Sequence, residues 1–194
     1  MTRRTFILVI SGPSGVGKST VAARVLERGG KIVSSVSVTT RPPRGEETDG
    51  EAYVFVDSGE FERRREAGEF LEWAEVHGHL YGTPAGFVDR ALGGGDCVLL
   101  EIDVQGGTEV KRKRPEAVLV FLLPPSEQAL GKRLRGRGTD DEEVVARRLE
   151  KAAWETGFSE MYDYVVVNDR LERCVDDVLA ILRAESLRRA RAVF

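Results

Sequence analysis

The chain has 194 residues, of which 41% are hydrophobic and 31% charged, with a net charge of −3. This length suits one compact domain, and the apolar content excludes a disordered or low-complexity chain. The charge balance argues against nucleic acid or an anionic membrane as a partner, and no apolar run reaches the ~18–20 residues that span a bilayer. Cys97 and Cys174 lie far apart in apolar contexts, which excludes a disulfide scaffold or a zinc site and favours a cytoplasmic protein.

Four apolar runs show no alternation with polar residues, a pattern typical of strands that are buried on both faces of a parallel sheet. These runs are Phe6–Ile10, Cys97–Ile102, Ala117–Leu123 and Tyr164–Val167. Helical patterns follow them along the chain. The alternation predicts an α/β fold, a three-layer sandwich in which helices cover both faces of a central parallel sheet.

Start and stop signals bound the predicted helices. The first helix begins in the Gly17–Ser19 turn and ends at Gly29-Gly30, and the second is capped by Ser126 and runs to Leu134, before Gly136 and Gly138. The last helix spans Leu171–Arg191.

A third helix, between the second and the last, is predicted to begin after Thr139, because Glu142 three residues on completes a capping box. Its apolar residues Val145, Leu149 and Trp154 are predicted to lie on one side of the helix.

Residues 34–92 have a different pattern and are predicted to form an inserted lobe over the carboxyl edge of the sheet. Tyr53–Val56 and Phe70–Val76 are typical of short strands in an antiparallel meander, with a helix over Gly59–Glu66 between them. The single domain 1–194 is then divided into a core (residues 1–33, 93–134 and 143–194), the lobe (34–92) and a short connection (135–142).

A full G-x-x-x-x-G-K-[ST] phosphate loop directly follows the first predicted strand and opens the first predicted helix. Its residues are Gly12, Pro13, Ser14, Gly15, Val16, Gly17, Lys18 and Ser19. The glycines let backbone N–H groups turn towards a phosphate, to which the helix N-terminus adds its positive end. Lys18 can reach β- and γ-phosphate oxygens and the Ser19 hydroxyl can bind Mg²⁺, so the loop predicts a nucleoside triphosphate site.

Two arginines, Arg41 and Arg44, lie three residues apart on the proline-stiffened segment Ser35–Arg44. Guanidinium groups fixed in this way bind phosphate oxygens bidentately, although the segment alone also fits a solvated turn. Glu72 lies among apolar neighbours, where an unpaired carboxylate is costly, but alternation along the strand would alternatively put it on the solvent face. Hydroxyl groups and a turn follow at Tyr81, Gly82, Thr83 and Pro84.

The segment Val98–Asp103 ends a buried strand with the carboxylates Glu101 and Asp103, as a Walker-B element does. Asp103 can hold the water shell of a metal ion or contact a substrate, and it can also cap the next helix, a role compatible with the first. The basic segment Lys132–Thr139 joins two predicted helices through glycines. A hinged segment of this kind suits a lid that excludes water, whereas Arg135 fits a basic helix end.

The ordered set of motifs resembles the guanylate kinase family over nearly the whole chain. The segments that carry the resemblance are Gly12–Ser19, Ser35–Arg44, Phe70–Glu75, Tyr81–Pro84, Leu99–Gly106, Pro124–Ser126, Arg133–Thr139 and Val165–Asp169. The resemblance implies a phosphate-loop core, a GMP-binding lobe at residues 34–92 and a lid at residues 135–142. It also implies the Mg²⁺-dependent conversion of ATP and GMP to ADP and GDP.

The same resemblance implies roles for individual residues. The GMP phosphate would be held by Arg41, Arg44, Tyr53 and Tyr81, and the guanine would be surrounded by Ser37, Glu72, Thr83 and Asp103. Beside Lys18 and Arg41, the catalytic cations would be Arg133, Arg137 and Arg148. ATP would contact the phosphate loop, Thr20 and, near the adenine, Asn168. Mg²⁺ would be bound by Ser19 and, through water, by Asp103.

The family pattern is broken at Gly45-Glu46-Glu47, where the glycine comes one place early. This leaves the local turn and the role of Glu47 open. A guanylate-kinase-like binding module without activity is an alternative, against which Lys18, Ser19 and the lid arginines argue. A kinase with another acceptor is a second. Glu72 argues against it, because guanine presents N1–H and its 2-amino group side by side to one carboxylate. Adenine presents a lone pair at N1, so such a site rejects the wrong base by roughly 10⁴-fold.

Overall fold

The computed structural model describes residues 5–51, 53–76, 78–135 and 142–188. The strands in these ranges are β1 (Ile7–Ser11), β2 (Ile32–Ser34), β3 (Val38–Thr39), β4 (Val54–Phe55), β5 (Phe70–Val76), β6 (His79–Pro84), β7 (Cys97–Glu101), β8 (Val118–Leu123) and β9 (Tyr164–Val167). The helices are α1 (Lys18–Arg28), α2 (Ser58–Glu66), α3 (Ala85–Gly93), α4 (Val104–Lys113), α5 (Glu127–Arg135), α6 (Glu142–Thr156) and α7 (Leu171–Ser186), and a 3₁₀ helix (Gly157–Met161) follows α6.

A central parallel sheet has the strand order β2-β7-β1-β8-β9. Every residue of β1 is buried, because α1 and α7 pack on one face of the sheet and α3 and α4 pack on the other. The predicted α/β fold class is therefore confirmed, and four of these strands lie within one residue of the predicted apolar runs. The fifth strand, β2, has three residues and was not predicted from the sequence.

The predicted start and end of the first helix and the predicted cap of the second are confirmed, whereas the last helix, predicted to reach Arg191, already ends at Ser186. At the start of α1, Gly17 adopts a left-handed φ of 102°. At its end, the Gly29 N–H donates to the Val25 oxygen at 2.7 Å. The Ser126 hydroxyl accepts from the Ala129 N–H at 3.1 Å and so caps α5 as predicted. Gly136, Gly138, Thr139 and Arg191, which the sequence analysis used as further helix signals, lie outside the described residues.

The predicted apolar side of α6 is wrong at Trp154. Val145 and Leu149 pack with α5 in a small core cluster, whereas Trp154 is half exposed. At 3.6 residues per turn, a residue nine positions after Val145 lies on the opposite side of the helix. Ala152, which is seven positions after Val145, takes the buried place instead.

The lobe contains a second sheet with the strand order β4-β3-β6-β5. β5 and β3 pair antiparallel with β6, but β3 and β4 pair in parallel, so the predicted antiparallel meander is only partly correct. The chain between β3 and β4 crosses back before it pairs, which a parallel pair requires. The predicted turn at Tyr81–Pro84 is part of β6. Gly82 is needed there, since a Cβ would lie 2.8 Å from the ring of Phe70.

The lobe packs on the core through β5, α3 and α4. The Lys113 ammonium donates to the Leu71 oxygen at 2.7 Å, and Val88 of α3 is buried in the apolar cluster shared with α4. These contacts join the lobe to the core, and lobe residues Ser37 and Glu72 line a cavity together with Glu101 at the carboxyl end of β7. The exact boundaries of core, lobe and lid stay a prediction. None of the helices in the described residues is long and apolar enough to cross a membrane.

Candidate active site

The phosphate loop occupies the turn between β1 and α1. Gly12, Gly15 and Gly17 adopt φ values of 148°, 84° and 102°, in the region that side chains with a Cβ rarely enter. A Cβ on Gly17 would lie 2.7 Å from the side-chain nitrogen of Asn168. Glycine is therefore required here both by the backbone conformation and by the space, and the loop can turn its N–H groups towards an anion.

The side chains of Lys18 and Ser19, at the end of the loop, have different hydrogen-bond partners. The Lys18 ammonium donates to the carbonyl oxygens of Gly12 at 2.6 Å and Pro13 at 3.3 Å. The Ser19 hydroxyl donates to Glu101 Oε1 at 2.6 Å, across the gap to the end of β7. A hydroxyl and a carboxylate beside a phosphate site are the oxygen ligands that Mg²⁺ prefers.

Two carboxylates, Glu101 at the end of β7 and Asp103 two residues later, have different contacts. Glu101 contacts Ser19, while Asp103 caps α4 by accepting from the Gly106 N–H at 2.9 Å. Asp103 also lines the cavity described below, so the predicted cap and an exposed carboxylate face coexist. Sequence reasoning chose Asp103 for the metal and missed Glu101, although Glu101 is the last residue of the same apolar strand.

Glu72 is buried in the lobe rather than on its solvent face. It is 4% exposed, and the Thr83 hydroxyl donates to its Oε1 at 2.5 Å. Burial raises the pKa of the Glu72 carboxyl to about 7, while the Thr83 hydrogen bond opposes that rise and the charge of Asp103 adds to it. Gly106 lies so close that a Cβ would approach Glu72 Oε2 to 2.6 Å.

A second cationic group lies in the lobe at Arg41. Its Nη2 donates to Glu47 Oε1 at 2.8 Å, and its guanidinium lies 5.3 Å from the ring centroid of Tyr53. The same Glu47 accepts from the Arg44 N–H at 2.8 Å through Oε2. Glu47 therefore joins the two arginines despite the early glycine, and its pKa is lowered mainly by the hydrogen bond from Arg41. Tyr81 packs edge-on against Tyr53, with the ring centroids 5.8 Å apart.

One cavity of about 330 Å³ connects the phosphate loop with the lobe. Predicted site residues that line it are Ser14, Gly15, Gly17, Lys18, Ser19, Thr20, Ser37, Tyr53, Glu72, Tyr81 and Asp103. Other predicted residues lie outside its lining, namely Gly12, Pro13, Val16, Arg41, Arg44, Thr83, Arg133, Arg148 and Asn168. Predicted Arg137 lies outside the described residues, as do residues 136–141 of the predicted lid.

Arg133 and Asn168 lie outside the lining of the cavity and donate hydrogen bonds to the backbone of the phosphate loop. The Arg133 guanidinium donates to the Val16 oxygen at 3.2 Å and to the Asn168 oxygen at 2.8 Å. The Asn168 side-chain amide donates to the same Val16 oxygen at 2.8 Å. Both residues thus contact the loop backbone, and Arg148 lies half-buried on α6.

Two further charged residues on α6, Lys151 and Glu155, line the cavity and were not predicted. Glu155 is 6% exposed. Its position inside a helix of mixed charge carries no sequence signal, because a helical glutamate is most often solvated. Only the packing of α6 against the loop brings it to the site.

A cavity that contacts a triphosphate-type loop at one end and a separate carboxylate pocket at the other can hold two ligands end to end. This arrangement is that of a phosphate-loop phosphotransferase, in which a second substrate takes the place of water.

The chain belongs to the guanylate kinase family, whose family model matches residues 3–185. It is 55% identical over 185 residues to a guanylate kinase of Thermus thermophilus, an alignment that covers 95% of this chain and 84% of that protein. The identity to a guanylate kinase of Myxococcus xanthus is 49% over 187 residues, or 95% and 89% of the two chains.

Solved structures agree with this family. The crystal structure of guanylate kinase from Anaplasma phagocytophilum superposes with a TM-score of 0.83 at 40% identity, over 98% of this chain and 90% of that one. A gluconokinase of Sinorhizobium meliloti superposes with a TM-score of 0.51 at 19% identity and shares the fold alone, over 95% of each chain.

Proposed function

We propose that this chain transfers the terminal phosphoryl group of ATP to GMP and releases ADP and GDP. The cavity that joins the phosphate loop to the buried Glu72 is the observation that carries the proposal. Membership of the guanylate kinase family gives the reaction, and the described residues support the binding of each substrate at one end of the cavity.

The donor end of the cavity is assigned to ATP. The loop residues from Gly12 to Ser19 and Thr20 are assigned to the phosphates, with Lys18 neutralising the β- and γ-oxygens, and Asn168 is assigned to the adenine end. Mg²⁺ is assigned to Ser19, with Asp103 acting through water. The contact of Ser19 with Glu101 supports a share for Glu101 in the same water shell. When bound, the metal neutralises charge that develops on the transferred group.

The acceptor end is assigned to GMP. Ionised Glu72 accepts from both guanine N1–H and the 2-amino group, and Ser37, Thr83 and Asp103 complete the surroundings of the base. The 2.5 Å bond from Thr83 leaves Glu72 with one oxygen free of that hydroxyl and orients the carboxylate plane. Arg41, Arg44, Tyr53 and Tyr81 are assigned to the GMP phosphate.

In the transfer step, a GMP phosphate oxygen attacks the γ-phosphorus of ATP while the bond from that phosphorus to the bridging oxygen of ADP breaks. No protein atom forms a covalent bond, so the chain contributes position and charge. Arg133, Arg137 and Arg148 are assigned to the phosphates between donor and acceptor.

We also place the protein in the cytoplasm, with small molecules and not nucleic acid as its substrates.

The test is an acceptor panel, in which ATP consumption is measured with GMP, AMP, CMP and UMP. Only GMP is expected to support fast turnover, and Glu72→Gln is expected to weaken GMP binding by at least about tenfold, since an amide cannot accept from two donors. Glu75→Gln is the control, because Glu75 lies on the same strand with an exposed side chain. Equal rates for the four acceptors would contradict the guanine site, and turnover with none would indicate a binding module.

A further inference from the structure

Glu155 has no part in the function assigned above, yet it is one of the most deeply placed charges at the site. It lies near the end of α6, and its side chain lines the cavity together with Ser14, Lys18 and Lys151. Only 6% of its surface is exposed. Burying a glutamate is costly unless its charge is paired or the residue serves the ligand-bound state of the protein.

Glu155 shares its cavity with groups that a phosphate would use. Burial raises the pKa of the Glu155 carboxyl, and the charge of Asp103 adds to that rise. The charges of Lys18 and Lys151 and the nearby Ser14 N–H oppose it. Ser14 belongs to the phosphate loop, so its N–H is one of the donors that a nucleotide phosphate requires.

One oxygen of the carboxylate, Oε2, is fully buried and accepts no hydrogen bond from any residue in the described part of the chain. An ionised oxygen left in this way weakens the hold of the site on the carboxylate. The group is thus positioned at the loop but is bound loosely enough to be displaced.

We propose that Glu155 is a positioning residue that takes the place of a phosphate at the empty loop and is displaced when ATP binds. This inference rests on the proposed binding of ATP phosphates by the loop. The carboxylate stabilises the converging N–H and ammonium groups while no nucleotide is present. A phosphate and the Glu155 carboxylate would be two anions in one cavity, where they repel each other, so nucleotide affinity is reduced by the work of displacing Glu155.

The test compares the wild type, Glu155→Gln and Glu155→Asp by calorimetric titration with tripolyphosphate and with ATP, without Mg²⁺. Tripolyphosphate isolates the loop from the adenine contacts, and the absence of metal excludes an effect on metal binding. Glu155→Gln is expected to bind both ligands about tenfold more tightly, because a neutral amide no longer opposes the phosphate. Glu155→Asp withdraws the charge by one methylene and is expected to bind more tightly than the wild type as well.

The matched control is Glu150→Gln, which removes the same charge from an exposed position of α6 and is expected to leave both affinities unchanged. GMP affinity is also expected to stay constant in Glu155→Gln, which separates a local effect from a general loss of structure. Unchanged or weaker binding by Glu155→Gln, or by Glu155→Asp if the first variant does not fold, would overturn the inference. A wild type that binds neither ligand would instead overturn the proposed function on which the inference rests.

Discussion

The role proposed for Glu72 requires a charged carboxylate at a buried position that disfavours charge. In the free protein its carboxylate has Thr83 as a hydrogen-bond donor, and burial raises its pKa to about 7. In the proposed complex, two guanine donors would add hydrogen bonds to this carboxylate and offset the cost of burying its charge. A base without those donors would leave that cost uncompensated.

The raised pKa of buried Glu72 predicts a pH-dependent stability difference between the wild type and Glu72→Gln. Because the pKa of Glu72 is higher in the folded than in the unfolded chain, its stabilising contribution is complete below about pH 4.5 and is lost as pH rises through 7. The neutral glutamine has no such loss. Glu72→Gln is thus expected to be more stable than the wild type at pH 8, by up to about 3 kcal/mol.

Urea unfolding between pH 4.5 and 8 measures this difference. The gap is expected to close as the pH falls, and Glu75→Gln, on the exposed side of the same strand, should show no comparable trend. A gap of constant size across the range would mean that the effect comes from packing and not from the charge of Glu72.

At the scale of the elements, the sequence predicts best where one local pattern decides the structure. The buried strands of the central sheet and the loop after β1 follow from apolar runs and glycine spacing, whatever surrounds them. β6 was missed because Gly82 and Pro84 disfavour a strand, and only the ring of Phe70 from a neighbouring strand explains the glycine. Glu155 was missed because its place in the cavity depends on how α6 lies against a loop some 140 residues earlier, which no local pattern indicates.

The loop between β1 and α1 provides a prediction for a whole element, which Gly17→Ala tests. Alanine at a φ of 102° is strained, and its Cβ would lie 2.7 Å from the Asn168 side-chain nitrogen, so the loop must shift away from Asn168. We expect a loss of stability of about 1–2 kcal/mol and a fall in ATP affinity larger than any fall in GMP affinity.

The matched control for this substitution is Gly93→Ala at the end of α3, where no atom lies within 4 Å of the added Cβ. That variant is expected to keep full activity and to be slightly more stable, because alanine loses less backbone entropy in a helix. Thermal unfolding and separate titrations with ATP and GMP distinguish the two substitutions. Equal behaviour of both variants would show that the loop tolerates a side chain at Gly17.

Across the whole molecule, the two proposed substrate pockets belong to different sheets, but each depends on the same core. β7 supplies Glu101 to the loop, while α4, which Asp103 caps, packs against the strand that carries Glu72. Neither pocket can survive the loss of this core. A probe of global opening should therefore respond to either ligand, although no substrate contacts the probe itself.

The two cysteines offer such a probe. Cys97 in β7 and Cys174 in α7 form no disulfide and are both buried in the cluster beneath α1 and α7, and burial raises the pKa of Cys174 to about 11. A thiol reagent at pH 8 is expected to label neither in the native protein and both in concentrated denaturant. In mild denaturant, ATP or GMP at about 100 times its dissociation constant should slow labelling roughly 100-fold, since each binds only the folded chain. Single Cys→Ser variants assign the two rates, and immediate labelling of either thiol without denaturant would show that its side of the core opens independently of the substrate pockets.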